Sequence, residues 1–537
     1  MIICNARNIV KHHAANLVLN NISLEIHDDS RIGLIGPNGA GKSTFLRIIA
    51  GIDAPDEGQV TRRRGLRTGY LPQEPHFPPG STVIDEAVNA REYLSEIEHR
   101  ISALERQMAE PDIYQDPDLL QQTIDAHEAA LREFEAAGGL NVDSRVLENL
   151  TALGFTEDDY LIPAEELSGG QKKLLYLARL LATGPGLLLL DEPDNHLDMA
   201  GKQKLERLVA GFAGAVVVIS HDRHLLDIIA ESIAELETHG QHPGRPQLSV
   251  FAGNYSEYAA EKRLALLRQQ HSYELQQREI SRLRQAYWRL MDWSQYVAHS
   301  KFVRRAQNIE RRIERMDIVE RPVLEPKRMG LQLESERGGF KVLMLEGVTK
   351  SFDGANVLNR VDLLVTHGER IALTGPNGAG KSLLLKIALG AEQPDSGYVQ
   401  LGARIHAGYY SQEQESLDPG RTLVEQVRSV KDMSEPDAYA FLGSFLFDFH
   451  KSRRTTSTLS GGEKARLQMA RLMLEGGNLL LLDEPTNNLD IPSCEVLEDA
   501  IEQFDGTVLV ISHDRYFLER VATRVVELDQ GCLREVT

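Results

Sequence analysis

A stretch of thirteen residues occurs twice in this chain, and no other feature limits its fold as strongly. Arg31-Ile32-Gly33-Leu34-Ile35-Gly36-Pro37-Asn38-Gly39-Ala40-Gly41-Lys42-Ser43 returns, 339 residues later, as Arg370-Ile371-Ala372-Leu373-Thr374-Gly375-Pro376-Asn377-Gly378-Ala379-Gly380-Lys381-Ser382. Gln73 and Gln412 keep that offset. Further on the offset is 292, shared by Ser168 and Ser460, Asp191 and Asp483, Glu192 and Glu484, and His221 and His513. The difference of 47 residues is an insertion in the first copy between Gln73 and Ser168. Chance does not hold register at so many chemically distinctive positions, so the chain carries two copies of one α/β unit.

Each copy contains a phosphate-binding pattern. Gly36-x4-Gly41-Lys42-Ser43 follows the β-like run Ile32 to Ile35 and precedes a helical run that opens with Thr44; Gly375 to Ser382, followed by Leu383, has the same setting. Glycines let backbone N–H groups close around phosphate oxygens at a helix N-terminus. Lys42 and Lys381 would then reach the β- and γ-phosphates of a nucleotide, and Ser43 and Ser382 would ligate Mg²⁺. Downstream, Leu187-Leu188-Leu189-Leu190-Asp191-Glu192-Pro193 recurs as Leu479-Leu480-Leu481-Leu482-Asp483-Glu484-Pro485. A short, wholly apolar run fits a strand buried on both faces of a parallel sheet. Acidic residues at its carboxyl end stand where open α/β sheets bind ligands. Asp191 and Asp483 are the expected Mg²⁺-side carboxylates, and Glu192 and Glu484 are candidates to orient or deprotonate an attacking water.

Here the sequence resembles the ATP-binding cassette proteins. Leu167-Ser168-Gly169-Gly170-Gln171 and Leu459-Ser460-Gly461-Gly462-Glu463 look like their signature motif. Gln73 and Gln412 resemble the Q-loop, which also faces the metal; His221 and His513 resemble the switch histidine. Asn195-His196-Leu197-Asp198 and Asn487-Asn488-Leu489-Asp490 resemble the D-loop. The resemblance implies that the cassettes pair head to tail within one chain, which acts as a monomer. One ATP would lie between Lys42 with Glu192 and Ser460 with Gly462, the other between Lys381 with Glu484 and Ser168 with Gly170. The P-loop contacts it implies are Gly36, Pro37, Asn38, Gly39, Ala40, Gly41, Lys42, Ser43 and Thr44, and Gly375, Pro376, Asn377, Gly378, Ala379, Gly380, Lys381, Ser382 and Leu383. It also implies contacts from Gly169 and Gly461. Two positions depart from the pattern. Phe352 stands where the family places an aromatic that stacks on adenine, but the same spacing in the first copy gives His13. Asp194 replaces the threonine that Thr486 keeps in the second copy. The two sites are therefore expected to be unequal, with both retained.

The insertion falls within about residues 88–140. Glu92, Leu94, Ile97, Ile101, Leu104 and Met108 follow a helical rhythm. A Pro/Asp-rich turn and a second helical run, Leu119 to Ala136, come next. This reads as a helical hairpin, either a surface decoration or a docking arm. Between the cassettes, residues 254–321 contain no Gly or Pro. Leu283, Tyr287 and Leu290, then Ile309, Ile313 and Met316, step by four and three, predicting a hairpin of two amphipathic helices roughly 40–50 Å long at about 1.5 Å per residue. Residues 262–328 hold 16 Lys/Arg against 8 Asp/Glu, although the whole chain carries −20. A basic spike on an acidic body fits a nucleic-acid partner. Arg284, Tyr287, Trp288, Arg289, Trp293, Lys301, Arg304 and Arg305 cluster near its expected turn, where arginines could meet phosphates and aromatics could stack on bases. The alternative is a solvated coiled coil whose aromatics pack the two helices together.

The predicted architecture is thus α/β: two P-loop ATP-binding cassette domains (1–252 and 329–537), a basic helical hairpin linker (253–328) and an arm inserted in the first cassette. It resembles the ABC-F family, and Phe251-Ala252-Gly253-Asn254-Tyr255-Ser256-Glu257-Tyr258 is similar to the opening of that family's linker. The resemblance implies an ATPase that binds the ribosome at the tRNA exit site, with the linker directed toward ribosomal RNA and the P-site tRNA. It is compatible with a translation factor that relieves stalling or with a ribosome-protection protein that confers antibiotic resistance. A tandem-cassette subunit of a membrane importer would have a short linker instead. No apolar stretch approaches the roughly 20 residues that span a bilayer. Cys4, Cys494 and Cys532 form no metal-binding spacing, and the N-terminus has no secretory pattern, so a reduced cytoplasmic setting is expected.

Overall fold

The computed structural model describes all residues except 14–15, 89–90, 137–141, 239–245, 297–299, 317–338, 353, 411–416, 460, 488 and 537. Two compact units emerge. One joins Met1–Tyr255 to Leu331–Thr537, and the other is Ser256–Gly330.

In the first unit each cassette is built around a six-stranded sheet. The first runs, in spatial order, Thr68–Leu71, Leu187–Asp191, Ala215–Ile219, Arg31–Ile35, Ser232–Thr238 and Pro246–Ala252. The first five strands are parallel and the last is antiparallel to its neighbour. The second sheet has the same order: Ala407–Tyr410, Leu479–Asp483, Thr507–Ile511, Arg370–Thr374, Arg524–Asp529 and Cys532–Val536. Both Leu-Leu-Leu-Leu-Asp strands are buried at every position, because helices or a second sheet cover both faces. Cutting one of these leucines to alanine would cost about 2–5 kcal/mol.

A three-stranded antiparallel sheet closes each core, Ile2–His13 between Asn16–His27 and Glu57–Arg62 in the first copy. Between it and the parallel sheet, the helix Lys42–Ala50 inserts Phe45, Leu46, Ile48 and Ile49. This packing fixes the glycine loop that precedes the helix.

Within the insertion, the helices Arg91–Met108 and Pro117–Ala136 pack on each other, burying Ile97 and Ala130. The Pro/Asp-rich turn contains a further short helix, Pro111–Tyr114, because a proline at its first position is already preset for helical φ.

The second unit contains the helices Tyr255–Tyr296 and Ser300–Glu314. Leu283, Ile280 and Ala306 are buried, and Arg312 Nη2 on the second helix reaches Glu279 Oε1 on the first at 3.4 Å. The first helix has 42 residues and is about 63 Å long, beyond the predicted 40–50 Å. The first helix ends at Tyr296 and the second begins at Ser300, within the stretch from Arg284 to Arg305 where the turn was expected, so the first helix takes most of the segment. Met316 lies just past the second helix, whose described end is Glu314.

Candidate active sites

The strands Arg31–Ile35 and Arg370–Thr374 each end in a glycine that no other residue could replace. Gly36 and Gly375 have φ of 148° and 140°, and a Cβ there would lie 2.3 Å from the Leu236 carbonyl oxygen and 2.2 Å from that of Leu528. The loops then feed helices starting at Lys42 and Lys381, whose N-caps, Gly41 and Gly380, offer no side chain. Backbone N–H groups at both helix starts are left for an anion. Lys42 Nζ donates to the carbonyls of Gly36 and Pro37 at 2.7 and 3.1 Å, and Lys381 Nζ to those of Gly375 and Pro376 at 2.7 and 2.8 Å. Burial pushes both ammonium groups below the ordinary lysine range, against the pull of Glu192 and Glu484 respectively.

Beside each lysine stands the aspartate of the buried strand. Ser43 Oγ donates to Asp191 Oδ1 at 3.1 Å, and Tyr70 donates to Oδ2 at 3.3 Å. Asp483 takes the same bonds from Ser382 and, at 3.4 Å, from Tyr409. The next residues, Glu192 and Glu484, have φ of 48° and 47°. That left-handed conformation is costly for a residue with a side chain. It is held by Glu192 N–H on Ile219 O at 2.9 Å and Glu484 N–H on Ile511 O at 3.0 Å. Gln73 Nε2 and Asn195 Nδ2 donate to Glu192 Oε2 at 2.7 and 2.6 Å.

The histidines complete each half-site. His221 Nε2 is 3.7 Å from Glu192 Oε1, and His513 Nε2 is 3.3 Å from Glu484 Oε1. Neither contact is aligned as a hydrogen bond, and both nitrogens of both rings are buried with no hydrogen-bond partner among the described residues. Burial favours the neutral forms throughout. It lowers His221 to about 3 and His513 to about 4, in each case with help from the nearby P-loop lysine. It raises Glu484 to about 7 against Lys381, and raises Glu192 with the help of Asp191 and Asp194.

The halves meet across the cassettes. Asp490 Oδ2 accepts from Asn38 N–H at 3.0 Å, and Asp198 Oδ2 accepts from Asn377 N–H at 3.2 Å. The other oxygen of each aspartate caps its own helix, on Gly201 and Ser493. A cavity of about 640 Å³ is walled by Ser168 and Gly169 from the first cassette and Lys381, Ser382, Glu484 and His513 from the second. Ser168 also caps the helix Gly169–Ala182, in which Gly170 is buried. In the reciprocal site Gly461 opens the helix Gly461–Leu474 and Gly462 is buried, while Ser460 and Gln412 lie outside the described residues.

A model of the ATP-binding cassette, described as ABC transporter, matches residues 19–195 and 358–487. A second model with the same description matches 244–332. The energy-dependent translational throttle protein EttA of Haemophilus influenzae is 36% identical over 96% of this chain and 90% of its own. The ABC transporter F family member 5 of Arabidopsis thaliana is 35% identical over 98% of this chain and 75% of its own. The chain belongs to the ABC-F family. Among solved structures, the archaeal ribosome recycling factor aABCE1, in complex with ribosomal stalk protein aP1, shares the tandem-cassette fold with a TM-score of 0.64 and 19% identity, over 98% of this chain and 89% of that one.

This ABC-F chain binds and hydrolyses ATP. Its orphaned histidine nitrogens and free helix-start N–H groups fit a terminal phosphate. Among the described residues no three His, Cys, Asp or Glu side chains gather into a metal cage. One hydroxyl and one carboxylate on each side suit Mg²⁺, which keeps waters and phosphate oxygens as its other ligands.

His13 and Phe352 occupy equivalent hairpin ends, paired with Asn16 and Ala355, and both are exposed. In the second unit Trp288 and Trp293 are 68% and 58% exposed. Arg284 and Arg289 are exposed beside them, with Tyr287 edge-on to Trp288 at 5.5 Å. Arg304 and Arg305 are exposed on the second helix, whereas the Lys301 side chain lies outside what is described. No helix among the described residues is long and apolar enough to cross a membrane.

Sequence reasoning missed the ion pairs between cassettes. Arg223 grips buried Glu498, and Arg515 Nη1 lies 3.2 Å from Glu206 Oε1. The signal was present in the 292-residue register, which matches Arg223 to Arg515 and Glu206 to Glu498.

Proposed function

We propose that this ATPase acts on the ribosome, where its two composite ATP sites control how long the basic helical unit stays engaged with RNA. Lys42 and Lys381 leave their loop carbonyls to meet the β- and γ-phosphates. Ser43 with Asp191, and Ser382 with Asp483, are the residues that would hold Mg²⁺, with Gln73 and Gln412 on the same side. Mg²⁺ held there neutralises charge on the phosphate oxygens. Glu192 and Glu484 take a proton from water as its oxygen attacks the γ-phosphorus; the bond to the bridging oxygen breaks, and ADP leaves with that electron pair. His221 and His513 donate from one ring nitrogen to the γ-phosphate. Asp198 and Asp490, on the opposite P-loops, make closure of one site felt at the other.

The observation that carries the ribosomal reading is the pair of exposed tryptophans among arginines on a net-basic helical unit. Such a surface suits phosphates and unstacked bases. The relative named as a translational throttle protein supports the same process. We place the unit at the tRNA exit site, facing ribosomal RNA and the P-site tRNA, in a factor that relieves stalled translation in the cytoplasm. ATP favours the engaged state only through contacts that differ between open and closed cassettes. The test is the double variant Glu192→Gln/Glu484→Gln, sedimented with ribosomes. It should accumulate on ribosomes with ATP and not with ADP; a variant that stays free of ribosomes with ATP overturns the proposal.

A further inference from the structure

Among the charges that differ between the copies in the 292-residue register, two line one cavity. The first cassette has Asp194 and Lys202 where the second has Thr486 and Cys494. Asp194 directly follows Asp191-Glu192-Pro193, and Lys202 lies four residues beyond Asp198. An acid and a base appear together, so the exchange leaves the net charge of the cassette unaltered while placing an ammonium group at a chosen point.

That point is the boundary of the other cassette's site. Lys202 is 9% exposed on the helix Met199–Ala210. Its Nζ donates to Asp222 Oδ2 at 2.8 Å and, across the interface, to the carbonyl oxygen of His513 at 3.0 Å. Asp194, 5% exposed, is fixed by the Ser220 hydroxyl at 2.8 Å. Burial opposes the Lys202 charge, but Asp222 and Asp194 hold its pKa above the ordinary range. All these groups except Ser220 line the cavity that also contains Lys381, Ser382 and Glu484. The corresponding position of the second cassette is the buried thiol of Cys494, a weak donor without charge that lines the same cavity.

We propose that Lys202 is a positioning residue supplied by the first cassette to the ATP site of the second. It anchors the backbone of His513 so that the imidazole is aimed at the nucleotide; among the described residues no lysine donates to the carbonyl of His221. The two ATP sites therefore differ in the rigidity of the histidine as well as in the base-stacking position. This assignment rests on the reading of Glu192 and Glu484 as the carboxylates of separate sites. A hydrogen bond from a charged donor to a backbone carbonyl is a strong one, and here it would steer a group that touches substrate.

The experiment measures steady-state ATP turnover of the full chain in two backgrounds. Glu192→Gln leaves the Glu484 site, and Glu484→Gln leaves the Glu192 site. Into each is placed Lys202→Cys, which gives the first copy the residue that the second carries at that position. The exchange should lower kcat about tenfold in the Glu192→Gln background, with KM for ATP within about twofold, and leave the Glu484→Gln background within about twofold. Lys202→Arg, which keeps a charged donor, should lose less than the exchange does. An equal loss in both backgrounds, or none in either, overturns the assignment. If the two single Gln substitutions do not themselves lower turnover, the two-site reading has failed and the assignment falls with it.

Discussion

The two cassettes have the same strand order, the same glycine strain and the same left-handed glutamate, yet they surround that glutamate differently. Beside Glu192 stands Asp194, which helps to raise its pKa, where the second copy has Thr486. Glu484 sits closer to its histidine, at 3.3 Å against 3.7 Å. Phe352 stands at its hairpin end where the other copy has His13, and Lys202 holds its histidine loop. The backbone of a cassette is thus fixed by a core that both copies share, while the electrostatics vary through residues near the motifs. A repeat can keep two sites of one geometry and still give them different rates.

The most severe way to test that comparison is to remove the carboxylates. Glu192→Gln/Glu484→Gln should reduce ATP turnover about a thousandfold, the scale of a lost general base. Taken singly, Glu484→Gln should remove the larger share, because its site has the nearer histidine and the better stacking residue. Phosphate-release rates for the two single variants decide it; equal rates would mean that the surroundings do not matter.

The interface itself is reciprocal but unequal. Arg223 and Glu498 have side chains 7% and 0% exposed, against 18% and 10% for Arg515 and Glu206. Arg223→Met leaves buried Glu498 only Arg520, at 2.8 Å, and should destabilise the chain by about 2 kcal/mol. Arg515→Met, at the wetter pair, should cost about 1 kcal/mol. Urea unfolding of the two variants measures the difference, and a larger loss for Arg515→Met would reverse the ranking.

Much of this was legible because the chemistry of phosphate binding is local. A P-loop needs its strand, glycines and helix within a dozen residues, and Leu187 to Asp191 announces a doubly covered strand by itself. Helices in the insertion were readable from the spacing of Ile97, Ile101 and Leu104, since a two-helix arm buries one stripe per helix. The place of the linker turn was legible from the cluster around Trp288 and Trp293. The length of the first helix was not, because a segment rich in helix formers carries no stop signal between Tyr255 and Tyr296. Lys202 and Arg223 were hidden for another reason. Their partners His513 and Glu498 lie 311 and 275 residues away, and only the folded interface joins them.

The smallest expected effect concerns the base-stacking positions. Phe352 is 49% exposed at its hairpin end, with Lys350 Nζ 5.5 Å from the ring centre. An exposed aromatic that stacks on a base contributes about 1–3 kcal/mol when removed. Phe352→Ala should therefore raise KM for ATP about fivefold or more at the second cassette, measured in the Glu192→Gln background. His13 offers a smaller ring, and His13→Ala in the Glu484→Gln background should change KM by only about twofold. Converting His13 to Phe should narrow that gap. If it tightens ATP at the first cassette without raising kcat, the aromatic sets affinity alone, and the remaining difference in rate belongs to the residues around the histidines.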